Sequence, residues 1–436
     1  MDIIKPRIMK GTRDFLPDDM RVREHVIGII KKRFETYGFS PLATPAMEYY
    51  DILTGKYGDE GEGLIFDLAY KGGKEVALKY DLTVPMCRVI AQYQDKIVMP
   101  FKRYQIQPVW RAEKPQRGRL REFFQCDADI VGVKDTAADT EIICLITDVM
   151  GDLGFEGSVT LVNHRKLLAG VMESIGIGED RAAAAMRVLD KLDKVGEEAV
   201  RAEFSEAGFA AGAVDKLFSL TETTGNAAKD LSRMGRELSG GGLAAEAIGD
   251  LTKIFRLLAE AGIEPSRVSF APRLARGLAY YTGPVFETVV TTPRIGSLAG
   301  GGRYDGVIGL FTGIDVPATG MALGLERIIE VVNDRGMFAD AAAAEMVLVI
   351  AFGDAEMGQA MKIAHELRRS GVNTDVYTDG GKLKKKFSYA DRTGAAKVVI
   401  VAPDELSRGV VKIKDMKTGQ EKEVEVSRVR DSLGRP

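Results

Sequence analysis

The sequence predicts an α+β chain: an antiparallel-sheet domain carrying a helical insertion, followed by a C-terminal α/β module. Three observations predict it. Residues 101–131, FKRYQIQPVWRAEKPQRGRLREFFQCDADIV, alternate apolar and polar side chains on both sides of a basic loop, as a long hairpin does. From about residue 166 to 262 the composition turns to Ala, Glu, Lys and Arg, with Ile248, Leu251, Ile254, Phe255 and Leu258 at helical spacing. From residue 346 onward, apolar runs such as MVLVIAF and KVVIVAP alternate with helical stretches, the pattern of crossover-connected strands.

Composition sets the outer bounds. The 436 residues suffice for two or three domains. An apolar fraction of 45% and a charged fraction of 28% are those of an ordinary globular chain. Sixty basic residues against sixty-three acidic ones leave a net charge of −3, so any RNA contact must use local patches. Cys87, Cys126 and Cys144 lack CxxC spacing and are expected to be reduced, mostly buried thiols. His25, His164 and His365 are scattered, so a histidine-built zinc site is not expected, and no metal ligands are assigned in the chain. No apolar run approaches membrane-spanning length, and MDIIKPRIMKGTRDFLP has no apolar signal core; the expectation is a soluble, cytoplasmic chain without a membrane partner.

Taken in order, KGTRDFLP precedes a helix expected from Met20 to Tyr37, with Val22, Val26, Ile29, Ile30 and Phe34 as its apolar stripe. Pro41 and Pro45 then predict a kinked or edge strand. Asp81 and Thr83 follow a short strand and precede a helix beginning near Val84–Pro85, where either could serve as N-cap. In the hairpin, Tyr104, Ile106, Pro108, Trp110 and Ala112 share one face, and Arg103, Gln105, Gln107, Arg111 and Glu113 the other. On the return, Phe124, Cys126, Ala128 and Ile130 oppose Arg121, Phe123, Gln125, Asp127 and Asp129. A solvated sheet face would show the same pattern as a binding floor. The loop favours the floor, because Lys114, Gln116, Arg117, Arg119 and Arg121 crowd donors at one turn, as a polyphosphate or nucleic-acid end requires.

Further along come a helix (GVKDTAADTEIICLITDVMGDLG), the strand SVTLVNH, the insertion and the strand VSFAP. Arg276, Tyr280 and Tyr281 then lie within six residues, with Gly277 and Gly283 flanking the tyrosines, as in a Tyr-rich turn. Gly300, Gly301 and Gly302 permit close backbone approach, and a turn uses glycines in the same way. Arg327 falls on the helix after ATGMALG, and residues 334–345 read as a linker. Lys382, Lys384, Lys385 and Lys386, with Phe387, Tyr389 and Arg392, mix charge and aromatics in a way that suits a nucleic-acid surface and equally a solvated helix face.

Several of these stretches resemble one family. Residues 101–131 are similar to motif 2 of the class II aminoacyl-tRNA synthetases, and of the histidyl enzymes (class IIa) in particular. The first helix with its proline-containing strand resembles motif 1, and ATGMALGLERIIEVV resembles motif 3. YDLT at residues 80–83, RGLAYYTG at 276–283 and GGRYDG at 301–306 look like histidyl-family loops. The resemblance covers essentially the whole chain. It implies a class II catalytic domain at 1–333 interrupted by the insertion at about 166–262, a linker at 334–345, and an anticodon-binding α/β domain at 346–436.

The resemblance also implies a reaction: L-histidine and ATP form histidyl-adenylate, with Mg2+ on the ATP phosphates, and the histidyl group passes to the 3' end of tRNA(His). Arg276, Arg111 and Gln125 would carry catalysis, the two arginines gripping the α-phosphate. Glu113 would read the adenine edge, Phe123 would stack on the ring, and Arg119, Arg121 and Arg327 would hold the outer phosphates. Asp81, Leu82 and Thr83 would hold the α-amino group of histidine, which needs carboxylate and hydroxyl acceptors. Asp129, Tyr280 and Tyr281 would read the imidazole, with Arg111, Gln125 and Arg276 bordering the same pocket. Arg117, Lys384, Lys385, Lys386 and Arg392 would face tRNA. Ala279 stands where the family often has Asp, and Lys79 where it often has Arg. Motif 1 implies a homodimer. The alternative is a catalytically inactive histidyl-synthetase-like regulatory subunit of histidine biosynthesis, a type that usually lacks the C-terminal module present here.

Overall fold

The computed structural model describes residues 3–54, 63–69, 72–189, 191–238, 242–275, 281–339 and 346–433. The chain divides into two compact units, Met1–Phe15 with Arg23–Met337, and Leu16–Val22 with Phe338–Pro436. Among the described residues no helix is long and apolar enough to cross a membrane. The three cysteines are free, Cys87 and Cys126 buried.

The first unit contains β1 (Ser40–Pro41), β2 (Met47–Tyr49), β3 (Phe66–Leu68), β4 (Val76–Leu78), β5 (Phe101–Trp110), β6 (Glu122–Val131), β7 (Ser158–His164), β8 (Val268–Phe270), β9 (Pro284–Val290), β10 (Ala299–Arg303) and β11 (Ala318–Gly324). Eight of them form one sheet in the order β1-β5-β6-β11-β10-β9-β7-β8, and β2-β4-β3 form a smaller one. β1, which holds Pro41, lies at the edge and pairs parallel to β5, where a residue without an N–H interrupts least. β5 and β6 are the expected hairpin, with Arg103 opposite Asp129, Gln105 opposite Asp127 and Gln107 opposite Gln125.

Period two then sorts the faces. The even face of β5 packs under the helix Pro17–Thr36, where the Tyr104 and Phe34 ring centroids are 5.6 Å apart. That helix starts three residues earlier than expected and buries Arg23 with Val26, Ile30 and Phe34. Arg23 is not one of the residues of the apolar stripe, yet it is buried with it. It goes inside because Glu326, on the helix Leu325–Asp334, meets its guanidinium through two hydrogen bonds of 2.6 and 2.9 Å. Phe15 also lies 3.9 Å beneath that guanidinium.

The triple glycine is likewise not a turn. Gly300–Gly302 run through β10 in the middle of the sheet, where a Cβ on Gly301 would meet the Gly320 carbonyl oxygen at 2.1 Å. The insertion is helical as expected, from Arg165–Ser174 to Leu243–Glu260, whose inner face buries Leu251, Ile254 and Leu258. Arg273, after β8, ties it to the sheet by donating to the Thr221 hydroxyl (2.9 Å) and the Phe218 carbonyl (2.8 Å).

In the second unit, β12 (Val347–Ala351), β13 (Thr374–Val376), β14 (Lys397–Val401), β15 (Val410–Asp415) and β16 (Glu421–Glu425) form a sheet in the order β13-β12-β14-β15-β16, parallel at β13-β12-β14. Val347, Val349 and Ala351 pack toward the helix Asp354–Arg369, and Leu348 and Ile350 toward the helix Leu383–Thr393. Both faces are therefore covered, as parallel strands require.

Candidate active site

The odd face of β5 and β6 is a buried floor and not a solvated one. Arg103 and Gln105 are fully buried, and Gln125, Asp127 and Asp129 nearly so. The helix Thr83–Gln92 closes over it. Arg103 Nε lies 2.9 Å from Met86 Sδ, and Arg103 Nη2 reaches the Leu82 carbonyl at 3.4 Å, so Leu82 joins the site through its backbone. Arg103 Nη2 also sits 2.7 Å from Asp129 Oδ2. The other oxygen of Asp129 accepts a hydrogen bond from the Tyr304 hydroxyl. Gly320 on β11 leaves the room for this, because a Cβ there would lie 2.0 Å from Asp129 Oδ1.

Three acids therefore converge. Asp81, just before the helix, accepts from the Val84 amide at 3.1 Å in the manner of an N-cap, and Thr83 is the first helical residue. Burial raises the Asp81 carboxyl to about 6, against the pull of that amide and of the guanidinium of Arg111. Burial also raises Asp127 and Asp129, and Arg103 opposes it in both. Lys79 supports the floor from below, donating to Gln107 Oε1 (2.6 Å), the Thr44 carbonyl (3.1 Å) and the Thr44 hydroxyl (3.2 Å). Its burial lowers the ammonium to about 8, although Glu48 acts in the other direction.

Arg111 leaves β5 at the rim of this floor. Its Nε donates to the Tyr80 carbonyl at 3.0 Å, and its guanidinium lies 5.1 Å over the Phe123 ring. Its charge acts on both Asp81 and Asp127. The structure thus brings together Arg111, Phe123, Asp81 and Asp129, with Gln125 on the same face of β6 as Phe123 and Asp129.

The basic loop is folded on itself. Arg119 grips Glu113 through two contacts, one of them 2.6 Å. Arg121 donates to the Glu113 carbonyl (3.0 Å) and the Lys10 carbonyl (3.3 Å). Gly11, with φ +92, passes so close that a Cβ would lie 2.9 Å from the Arg121 side chain. Arg117 is held by Asp334 at 2.7 Å and by Glu330 at 3.3 Å. Arg327 donates to the Ser297 carbonyl at 2.7 Å. Arg119 and Arg327 line a cleft of about 1100 Å³ together with Arg273, Glu287 and Tyr281, and Thr221–Thr223 of the insertion form another part of its wall.

Tyr281 is mostly buried, packed against Met86, Cys87 and Tyr304. Arg276 and Tyr280 lie outside the described residues. The backbone leading to them is fixed by Asn163, whose side-chain amide donates to the Pro272 carbonyl (3.0 Å) and the Leu274 carbonyl (2.9 Å).

In the second unit one expectation needs correction. Lys386 is buried and not on the surface, because its ammonium caps the end of β12, donating to the Ala351 carbonyl at 2.7 Å. Lys384, Lys385 and Arg392 are exposed, with Lys385 paired to Asp379 at 2.5 Å.

The site residues that the sequence reading left out are Arg103, Asp127, Tyr304 and Asn163. Alternation already placed Arg103 and Asp127 on the floor. Tyr304 lies within the GGRYDG stretch, but nothing local pointed its hydroxyl at Asp129, and nothing local marked Asn163.

A family model described as histidyl-tRNA synthetase matches residues 11–328, and one described as an anticodon binding domain matches residues 346–434. A histidine–tRNA ligase of Gloeobacter violaceus is 40% identical, covering 95% of this chain and 96% of its own. The solved histidyl-tRNA synthetase of Nostoc sp. PCC 7120 is 28% identical, with a TM-score of 0.88 over 99% of both chains. A Bacillus halodurans C structure titled as an ATP phosphoribosyltransferase regulatory subunit/histidyl-tRNA synthetase is 21% identical, with a TM-score of 0.75 over 92% of this chain and 100% of its own, and it shares the fold.

Proposed function

Because the chain belongs to the histidyl-tRNA synthetase family, we propose that its buried floor holds L-histidine beside ATP and that Arg111 spans the two. The chain is a histidine–tRNA ligase: it activates L-histidine with ATP to histidyl-adenylate and charges tRNA(His). The regulatory-subunit alternative is the weaker reading, since a ligase 40% identical covers 95% of the chain and the anticodon-binding module is present.

The observation that carries the assignment is the placement of Arg111. Its guanidinium stacks over Phe123 while its charge reaches Asp81 and Asp127. A nucleotide base on Phe123 would then sit on one side of Arg111 and an ammonium held by Asp81 and Thr83 on the other. As the histidine carboxylate attacks the α-phosphate, charge builds on the non-bridging oxygens, and a cation already in place stabilises it without reorganisation. Gln125, on the same floor, would orient the carboxylate. Arg276 keeps the partner role that the family resemblance implies.

Arg119, Arg121 and Arg327 face the outer phosphates. Phosphate oxygens would draw Arg119 from Glu113 and free that carboxylate for the adenine edge. Asp129, fixed by Arg103 and Tyr304, and Tyr281 would read the imidazole. Mg2+ would arrive on the ATP phosphates, which supply most of its oxygen ligands, and would neutralise their charge. Glu222 and Glu287 line the same cleft as Arg119 and Arg327, hard oxygen donors of the kind that fit such an ion.

Pyrophosphate exchange into ATP, run with each amino acid in turn, tests the assignment. Exchange is expected with histidine alone. Exchange with none would favour the regulatory reading, and exchange with a different amino acid would overturn the specificity.

We assign tRNA contact to Lys384, Lys385 and Arg392, and exclude Lys386 because its ammonium is committed to a carbonyl. Lys384→Glu with Arg392→Glu is expected to raise KM for tRNA(His) roughly tenfold in aminoacylation and to leave exchange unchanged. Unaltered aminoacylation would remove that surface from the assignment. The protein is proposed to be a homodimer, so light scattering should return twice the 47.4 kDa chain mass; a monomeric mass in the active enzyme would refute this.

A further inference from the structure

Asp127 has no place in the division of labour above, yet it lies at the centre of the floor. It is 3% exposed, it pairs across the strands with buried Gln105 on β5 and with Ala322 on β11, and its Oδ1 is buried without a hydrogen-bond donor. Two residues earlier on the same face, the buried Gln125 Oε1 also lacks a donor. A buried carboxylate oxygen and a buried amide oxygen left bare side by side are costly unless something brings N–H groups to them.

The neighbouring cations cannot fill that need, because each is committed elsewhere. Arg103 is paired with Asp129 at 2.7 Å. Lys79 donates to Gln107 and Thr44. Arg111 faces out over Phe123 and donates to the Tyr80 carbonyl. Once Arg111 meets a substrate carboxylate or phosphate, Asp81 and Asp127 share only the field of Arg103, which is itself paired with Asp129. A neutral imidazole offers a single N–H donor and no charge. A primary ammonium offers three N–H donors and one positive charge, which matches Asp81, Asp127 and the Gln125 oxygen in both number and sign.

We infer that Asp127 binds the α-ammonium group of the substrate amino acid jointly with Asp81 and Gln125 Oε1, so that the amine is recognised by two carboxylates of the floor. The assignment rests on the reading of this floor as the histidine site. It makes Asp127 a determinant of amine recognition, and Asp129, already engaged by Arg103 and Tyr304, a determinant of the ring.

The test compares wild type with Asp127→Asn, which keeps the shape and removes the charge. Three ligands are measured in the exchange assay: histidine as substrate, histidinol as an inhibitor that keeps the amine, and 3-(imidazol-4-yl)propionate as an inhibitor that lacks it. KM for histidine and Ki for histidinol should rise roughly 10- to 100-fold, the scale of one lost hydrogen bond to a charged group. Ki for imidazolylpropionate and KM for ATP should stay within about twofold. The melting temperature of the unliganded variant should hold or rise, because a buried carboxylate with a bare oxygen and no ion pair of its own has been removed. An unchanged KM for histidine, or an equal loss for imidazolylpropionate, would overturn the inference, the latter by moving Asp127 onto the ring. Absence of histidine-dependent exchange in wild type would instead overturn the underlying site reading. Should the Asn variant fail to fold, Asp127→Ala carries the same contrast between the two inhibitors.

Discussion

Arg111→Ala is expected to lower histidine-dependent pyrophosphate exchange by about 10²–10³-fold while leaving the melting temperature nearly unchanged. The two halves of this expectation have separate causes. In the folded protein Arg111 is half-buried at the rim, and its side chain makes one hydrogen bond, to the Tyr80 carbonyl, and one ring contact, to Phe123. Their loss costs stability on the order of 1 kcal/mol. In the reaction the same group faces the growing charge on the α-phosphate, where removal of one preorganised donor costs about 2.7–4 kcal/mol of barrier. The loss should fall more on kcat than on KM for ATP, because the interaction strengthens in the transition state. Arg111→Lys should recover only part of the rate, since a point charge does not reproduce the planar fork. Single-turnover adenylate formation checks this directly, and a variant within tenfold of wild type would remove Arg111 from the assigned role.

Arg103→Leu should have the largest effect on stability, about 3–5 kcal/mol or a fall of roughly 10 °C in melting temperature of the first unit. Arg103 is completely buried and supplies the cation for Asp129 in a floor that also holds Asp127. Leucine fills the volume but strands both carboxylates in a desolvated site. The pH dependence separates this cause from simple repacking. Burial holds both acids above the ordinary carboxylate range, so they take up protons more readily folded than unfolded. Such groups penalise the fold once ionised, and the penalty fades as pH falls through their raised range. The deficit of the variant should therefore be widest near pH 8 and narrow toward pH 5, as thermal melts at the two values would show. A deficit independent of pH would mean lost packing, and partial repair by a second change, Asp129→Asn, would confirm the electrostatic cause.

These two arginines also mark how far the sequence could be read. Both fall on the odd face of β5 or just beyond it, and alternation places both opposite the apolar side. Arg111 was recognisable because a motif surrounds it. Arg103 carries no motif, and an arginine on a polar strand face looks like a solvated residue until the helix Thr83–Gln92 is laid across it. Arg23 is the same case on the other side of the sheet: a charge at a core position, intelligible only through Glu326, 303 residues away. Lys386 shows the reverse. It sits in a lysine cluster that suggests a surface, yet helical phase turns it inward to a carbonyl at the end of β12. Gly301 could be read as close backbone approach or as a turn, because a glycine run looks alike in both, and the neighbouring strand decides for close approach.

By itself the sequence determined the succession of elements, the face each strand residue shows, the family, and the residue types able to hold a nucleotide and an amino acid. Those properties are local, since periods of two and 3.6 and the chemistry of a loop are written within a few residues of one another. Only the tertiary structure decided which acids are already paired and which stay bare: Asp129 is claimed by Arg103 across one strand pair and by Tyr304 from 175 residues away, while Asp127 beside it keeps an oxygen without a donor. Desolvation and partner choice arise when distant segments close over one another, so they have no signature in any single stretch of the chain.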